Sequence, residues 1–332
     1  MSRVYVGKNI ECKIKSALDG CAFTVTDDNV ARIYPEFTRG AYVIEHGEKN
    51  KNKDVLFDII GAMSDAGLTR GDRIAAVGGG VVGDMAGLAA ALYMRGIDWV
   101  CVPTTLLAMA DSCIGGKTAV DFRGVKNLAG AFHSPREIYI SARFADTLAD
   151  REFLCGFGEM IKTSMLDPHA YELMRKSADG LLAHDFECVY ALLNRCVEIK
   201  KRIVKTDPKE KGLRKILNVG HTVGHALESV DGFRLSHGEY VLKGMIAEFS
   251  MCKYHMPPSL YGEAIGLMRR FTVPPRTSGR AVCETAVRDK KNTDGKISLM
   301  VPVEIGRIEE VRLFPDEFIS RYDDALKELK EI

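Results

Sequence analysis

The sequence has no apolar run approaching the ~20 residues that a bilayer-spanning helix needs. It also has no excess of either charge, no C-x-x-C pair and no internal repeat. Each absence excludes something. Without a long apolar run, no membrane span is expected. With 46 Lys and Arg against 45 Asp and Glu, the formal net charge is +1. Neither nucleic acid nor an anionic membrane is therefore an expected partner, although a cationic pocket can hide inside a balanced total. The opening stretch MSRVYVGKNIECKIK lacks the basic–apolar–small order of a secretory signal. Together with nine scattered cysteines, it predicts a cytoplasmic protein with reduced thiols, most of them small core residues. Cys113 and Cys155, each beside glycines, stand out from the rest. What is present is 332 residues, 46% hydrophobic and 27% charged, the composition of a soluble globular protein long enough for two domains.

The first half alternates two periods. Short β-rich runs occur at Arg3 to Val6, Cys21 to Thr26, Ala41 to Ile44, Arg73 to Val77, Trp99 to Val102 and Glu137 to Ser141. Helical periods lie between them; in Asp54 to Leu68, residues Val55, Leu56, Ile59, Ile60 and Met63 share one face. Such alternation predicts an α/β domain with a mostly parallel sheet, residues 1–150. From 151 to 332 the periods read as helices, with strand signals only at Ile297 to Val301 and Arg307 to Leu313. A mainly α-helical second domain is expected there, with a ligand cleft between the two domains.

Ile74 to Val77 runs into Gly78-Gly79-Gly80, and Gly78, Gly80 and Gly83 satisfy G-x-G-x-x-G between a strand and a helix period. In that context backbone N–H groups can cradle a pyrophosphate. The stretch up to Asn127 then carries Arg95, Thr104, Thr105, Asp111, Lys117 and Lys126 between apolar blocks, more polar residues than a scaffold needs. In parallel sheets ligands gather outside the carboxyl ends of the strands. Asp27 and Asn29 follow one such strand, and Glu48 and Lys51 another. Asp27 has two readings, a carboxylate for ribose hydroxyls or a helix N-cap.

In NVGHTVGHA, His221 and His225 stand at i and i+4 on one helix face, a spacing that suits a metal or paired acid–base work. His237 adds a third imidazole at the start of another helix period, and Glu159 is a carboxylate in an apolar setting that needs a partner. Two histidines and a glutamate with an open fourth position form a catalytic rather than a structural zinc site. Lys117, Lys162, Lys200, Arg214, Lys290 and Lys291 lie close to these motifs in sequence. Converging on one cleft, they would receive a phosphate and a carboxylate.

The motifs GGGVVGDMAGLAAALYMRG, VPTTLLAMADSCIGGKTAVD, KNLAGAF, EFLCGFGEMIK, LRKILNVGHTVGHALE, LSHGE and DKK, in this order and over nearly the whole chain, resemble those of the 3-dehydroquinate synthases of the sugar-phosphate cyclase superfamily. The resemblance implies an N-terminal nucleotide-binding α/β domain and a helical C-terminal metal- and substrate-binding domain. It implies NAD and a divalent metal, zinc or cobalt, as cofactors. The implied reaction converts 3-deoxy-D-arabino-heptulosonate 7-phosphate to 3-dehydroquinate and phosphate, through transient oxidation, phosphate elimination, re-reduction and intramolecular aldol closure, within the shikimate pathway.

Carried over by motif, the resemblance makes Glu159, His221 and His237 metal ligands. It gives the dinucleotide Asp27, Asn29, Glu48, Lys51, Gly79, Gly80, Val81, Asp84, Thr104, Thr105, Lys126 and Thr147. Substrate phosphate falls to Lys117, Asn127, Lys290 and an Arg95 reaching in from a second copy, which implies a homodimer. The carboxylate falls to Lys200, Arg214 and Asn218; Asp111 and Lys162 hold hydroxyls near the metal, and Glu210 and His225 move protons. Cys155 and Pro208 depart from the family's usual residues without removing a metal ligand or a cationic contact. Another cyclase of the superfamily, a metal-dependent polyol dehydrogenase and an inactive NAD-binding regulator are the competing readings. The Lys200, Arg214 and Asn218 trio, of no use to a cyclase for a neutral sugar, favours a carboxylated substrate.

Overall fold

The computed structural model describes residues 2–288, 292 and 294–331. The chain divides into two compact units, residues 1–149 and 150–332.

The first unit is built on strands β1 (Arg3–Gly7), β2 (Phe23–Asp27), β3 (Tyr42–Ile44), β4 (Arg73–Gly78), β5 (Asp98–Pro103), β6 (Lys117–Phe122), β7 (Val125–Phe132) and β8 (Glu137–Ser141). Six of them form one sheet in the order β1-β8-β5-β4-β2-β3, every pairing parallel. β4 reads Ile-Ala-Ala-Val because its residues are buried on both faces, so it shows no alternation. The chain leaves β2 for β3 on one side, then returns to β4 on the other. The crevice for a ligand in such a sheet lies where the order reverses, outside the strand ends. Here that is the end of β2 at Asp27 and the end of β4 at Gly78, held in register by the Thr26–Val77 pairing and by Thr26 Oγ1 donating to Val77 O at 2.8 Å.

Each of the six strand expectations falls on a strand of this sheet. β6 and β7 were not expected. They form an antiparallel hairpin in which Phe122 pairs with Val125. The turn residues Arg123 and Gly124 have φ of +51° and +75°, as a type I′ turn requires. Arg-Gly is a weaker hairpin signal than Asn-Gly, and charges on both strands mask the buried Thr118 and Val120.

The second unit is helical, with one hairpin of β9 (Ile297–Glu304) and β10 (Arg307–Leu313). Its centre is the helix His237–Met251, in which every residue from Tyr240 to Met251 is buried. Helices Asp150–Ser164 and His221–Val230 pack on it. Helix Phe186–Thr206 turns an apolar face of Leu192, Cys196, Ile199 and Ile203 inward, each buried aliphatic contributing about 1.5–3 kcal/mol. Lys200 lies on that same buried stripe. Ala178–Leu182, Pro258–Met268 and Gly279–Ala286 are further helices that the periodicity did not single out. No helix among the described residues is long and apolar enough to cross a membrane.

Candidate active site

Glu159 sits in the middle of helix Asp150–Ser164 with 1% of its surface exposed. Its Oε2 pairs with the ammonium of Lys162, one turn on. Its Oε1 is buried and accepts no hydrogen bond among the described residues. That oxygen instead faces His221 Nε2 at 3.4 Å and His237 Nε2 at 3.5 Å, long for hydrogen bonds. Donors bound to zinc at 2.0–2.2 Å in tetrahedral array stand about 3.3–3.6 Å apart, so the spacing fits one shared divalent cation. His225 belongs to the same cluster: the ring nitrogens of His221, His225 and His237 approach within 4.8 Å of one another. Glu159 Oε1 thus lies within a shared cation's reach of His221 and His237, and the three imidazoles themselves form a cluster that could hold an ion.

Both rings are oriented from behind. His221 Nδ1 lies 3.1 Å from Val219 O, and His237 Nδ1 lies 3.3 Å from Glu228 Oε2. A second partner on Nδ1 fixes the tautomer and leaves Nε2 for a metal. Glu228, itself buried, was not among the expected residues. Its signal was present, a carboxylate one turn beyond His225 on the histidine helix. The charges are tuned by their neighbours. Burial alone would raise the pKa of Glu159, but Lys162 and His237 hold it well below the carboxylate range. Burial works against the His237 imidazolium, yet Glu159 and Glu228 push its pKa up to about 9.

Close backbone packing brings the donors together. A Cβ on Gly158 would meet the backbone of Gly238, and one on Gly238 would meet Cys155 O. The helix of Glu159 and the helix of His237 therefore touch main chain to main chain. Cys155 lines this crossing, its thiol pushed up to about 11 by burial, which makes it a packing residue rather than a nucleophile. A similar contact joins Gly244 to Gly220 and Gly224 on the histidine helix.

Beyond the long helix, Asp207 organises a loop. Its carboxylate accepts from the backbone N–H groups of Lys211 (2.9 Å), Gly212 (2.7 Å) and Arg214 (3.1 Å). Asn218 Nδ2 donates to Glu210 Oε1 at 3.0 Å, and Arg214 Nη1 donates to Pro208 O at 2.9 Å. Arg214, Lys200 and Lys162 are all buried. Lys290 lies outside the described residues.

In the first unit a cavity is lined by Gly79, Gly80, Gly83, Asp84, Ser112 and Lys117, among others. Gly79 is the N-cap of helix Gly80–Leu92 and has no side chain to occupy the helix start. Thr104 N donates to Gly78 O, and Thr104 Oγ1 is buried without a hydrogen-bond partner among the described residues. Thr105 Oγ1 accepts from Ala108 N at 3.3 Å. Lys51 is the hub beside them. It pairs with Asp84 Oδ2 at 2.5 Å and donates to Asn127 Oδ1 at 2.5 Å. Burial opposes its charge, but Asp84, Glu48 and Asp121 keep its pKa above the usual value.

Asp27 acts as the N-cap, its Oδ1 accepting from Val30 N at 2.8 Å. Asn29 accepts from Arg32, and Thr147 Oγ1 lies 2.5 Å from the Tyr34 hydroxyl. Val81 is half-buried in the first turn of helix Gly80–Leu92, and Asp111 is half-buried in the turn Ala108–Ser112. Glu48, Lys117 and Lys126 are exposed. Arg95 is exposed at the far end of helix Gly80–Leu92, with φ of +67°. That helix is about 20 Å long at 1.5 Å per residue, which sets Arg95 apart from the glycine turn.

A family model for the N-terminal region of 3-dehydroquinate synthase matches residues 41–155, and one for the C-terminal region matches residues 156–292. The chain belongs to the 3-dehydroquinate synthase family. The 3-dehydroquinate synthase of Pelobacter propionicus is 39% identical over 324 residues, covering 92% of this chain and 90% of its own. That of Geotalea uraniireducens is 42% identical over 270 residues, covering 79% and 75%. Among solved structures, the 2-epi-5-epi-valiolone synthase of Streptomyces hygroscopicus subsp. jinggangensis is 26% identical. It aligns over 100% of this chain and 97% of its own with a TM-score of 0.89, and was solved with NAD+ and Zn2+ bound.

Proposed function

We propose that the chain is a cytoplasmic, NAD- and divalent-metal-dependent carbon–oxygen lyase. Its substrate is 3-deoxy-D-arabino-heptulosonate 7-phosphate and its products are 3-dehydroquinate and phosphate. The observation that carries this reading is Glu159 Oε1, buried without a hydrogen bond and spaced for a shared cation with two imidazoles, in a chain of this family. Bound metal supplies a Lewis acid that acidifies a substrate hydroxyl, and NAD supplies a reversible hydride acceptor.

The chain's own residues bind, orient and move protons. Glu159, His221 and His237 hold the metal, with Glu228 keeping His237 Nε2 turned toward it. Lys162, already paired with Glu159, and Asp111 hold substrate hydroxyls. Lys200, Arg214 and Asn218 take the carboxylate, the guanidinium by a bidentate pair. Glu210, hydrogen-bonded to Asn218, and His225 relay protons at the reacting carbon.

In the first unit the open N-terminus of helix Gly80–Leu92, with Gly79, Gly80, Val81, Asp84, Thr104 and Thr105, takes the pyrophosphate and nicotinamide. Asp27, Asn29, Glu48, Lys51, Lys126 and Thr147 complete the dinucleotide site. Lys117, Asn127 and Lys290 take the phosphate with Arg95 of the partner subunit, the role that the resemblance to the family gives these residues. The active species is therefore a homodimer, and an active monomer in light scattering would contradict it.

The test is phosphate release from the heptulosonate phosphate with NAD+ and Zn2+, before and after chelation. Release without accumulation of NADH is expected, lost on chelation and restored by Zn2+ or Co2+. Steady NADH accumulation would point to a dehydrogenase instead, and no release by the metal-loaded protein would overturn the reading.

A further inference from the structure

Helix His221–Val230 begins on Gly220, which has φ of +74° and no side chain to cap the helix. The missing cap comes from elsewhere in the fold. Glu248, with none of its surface exposed, accepts from Gly220 N through Oε2 and from Val223 N through Oε1, both at 2.9 Å. Glu248 lies on helix His237–Met251, three turns beyond His237. The same two helices exchange a second carboxylate in the opposite sense, since Glu228 of the first holds His237 at the start of the other. Between these ends the helices touch at Gly244, Gly220 and Gly224.

We infer that Glu248 is a positioning residue for the metal site: with Glu228 it forms a reciprocal pair of carboxylate pins that fixes the axial register of the two histidine helices. Residue spacing along a helix is 1.5 Å, and the approach of His221 and His237 to one carboxylate oxygen tolerates less than such a slip. Close Gly–Gly packing sets the distance between the helices but resists sliding poorly, having no side chains to interdigitate. Two charge-assisted hydrogen bonds to the orphan N–H groups of a helix start do resist it. The inference rests on the metal reading proposed above and concerns a residue that touches neither metal nor substrate.

The experiment is Co2+ titration of the full chain, followed by equilibrium dialysis and visible absorption, for wild type, Glu248→Gln and Glu248→Asp, with helix content from circular dichroism. In Glu248→Gln one acceptor oxygen becomes an N–H2 group facing an N–H donor. The expected result is native helix content, a Co2+ affinity lower by about tenfold or more, and an altered Co2+ spectrum. A merely structural role would move stability but not the spectrum of the bound ion. If Glu248→Gln does not fold, Glu248→Asp, which keeps both oxygens on a shorter stem, decides on the same criteria. A folded variant whose Co2+ affinity stays within about threefold of wild type, well inside the range for lost outer partners, overturns the inference. So does loss of folding in both variants, since Glu248 would then hold the whole unit. Failure of the wild type to bind Co2+ overturns the metal reading itself, and the pin with it.

Discussion

Gly158, Gly238 and Gly244 of the second unit and Gly83 of the first do opposite things. In residues 150–332, Gly158, Gly238 and Gly244 are filled space: a Cβ on any of them would strike the backbone of a neighbouring helix. In the first unit Gly83 is open space, with nothing within 4 Å of where its Cβ would stand. The first kind draws side chains of different helices onto one point, Glu159 between His221 and His237. The second kind leaves helix Gly80–Leu92 bare at Gly83, in the cavity lining with Asp84 and Lys117. A metal centre needs converging side chains, whereas a dinucleotide cradle needs main chain that a ligand can approach. One residue type serves both because it lacks a side chain, and only the surroundings decide which use is made of it.

The comparison breaks first at the metal donors. Replacing His237 with Ala is expected to abolish metal-dependent phosphate release and to cost more Co2+ affinity than the roughly 10–100-fold expected for Glu228→Gln. Retained activity in the alanine variant would remove His237 from the site. Next comes Gly238→Ala, whose methyl group must displace Cys155 O. It should destabilise the protein by about 1–3 kcal/mol and weaken Co2+ binding, measured by urea unfolding and dialysis. Unchanged values would mean that the helix contact is not close in solution.

Gly83→Ala sharpens the other side of the comparison. A helical Gly→Ala change with room for the methyl group is expected to stabilise by about 0.5–1 kcal/mol. Yet NAD+ affinity should fall by about tenfold, or 1.4 kcal/mol, in calorimetric titration. Undiminished NAD+ binding would show that the open space is not the cradle.

The smallest effect is expected at Asp167, a carboxylate of the second unit paired with Arg195 at 3.0 Å. Burial would raise its pKa, but Ala170 N–H and Arg195 outweigh it and lower it. A lowered folded pKa contributes stability above the unfolded value of about 3.9, lost as pH falls through the folded pKa. Asp167→Asn should therefore melt earlier than wild type at neutral pH, with the gap closing below about pH 4. A gap independent of pH would assign the loss to shape rather than charge.

Much of this was legible in the residues. Short β-rich runs and helical periods gave the strand–helix alternation, because burial on one or both faces leaves its mark on neighbouring positions. The pair His221 and His225 was visible because i and i+4 share a helix face, and the glycine turn because it breaks a buried strand. The hairpin of β6 and β7 was not legible, since its Arg-Gly turn resembles ordinary surface sequence. The residues around Asp27 admit both of its readings, and the structure shows its Oδ1 capping a helix.

Glu228 showed only its place one turn beyond His225, and Glu248 was invisible as a functional residue. Nothing in the neighbours of Glu248 distinguishes a glutamate that faces solvent from one that reaches across to another helix. Local sequence, then, determined which segments became strands and helices and which side chains could bind a metal, because those properties depend on residues within a turn or two. Tertiary structure alone decided that Glu159, His221 and His237 share one point, and which glycines are filled or open. Those outcomes depend on contacts between distant segments, Glu159 and His237 being 78 residues apart, and spacing along the chain carries no record of them.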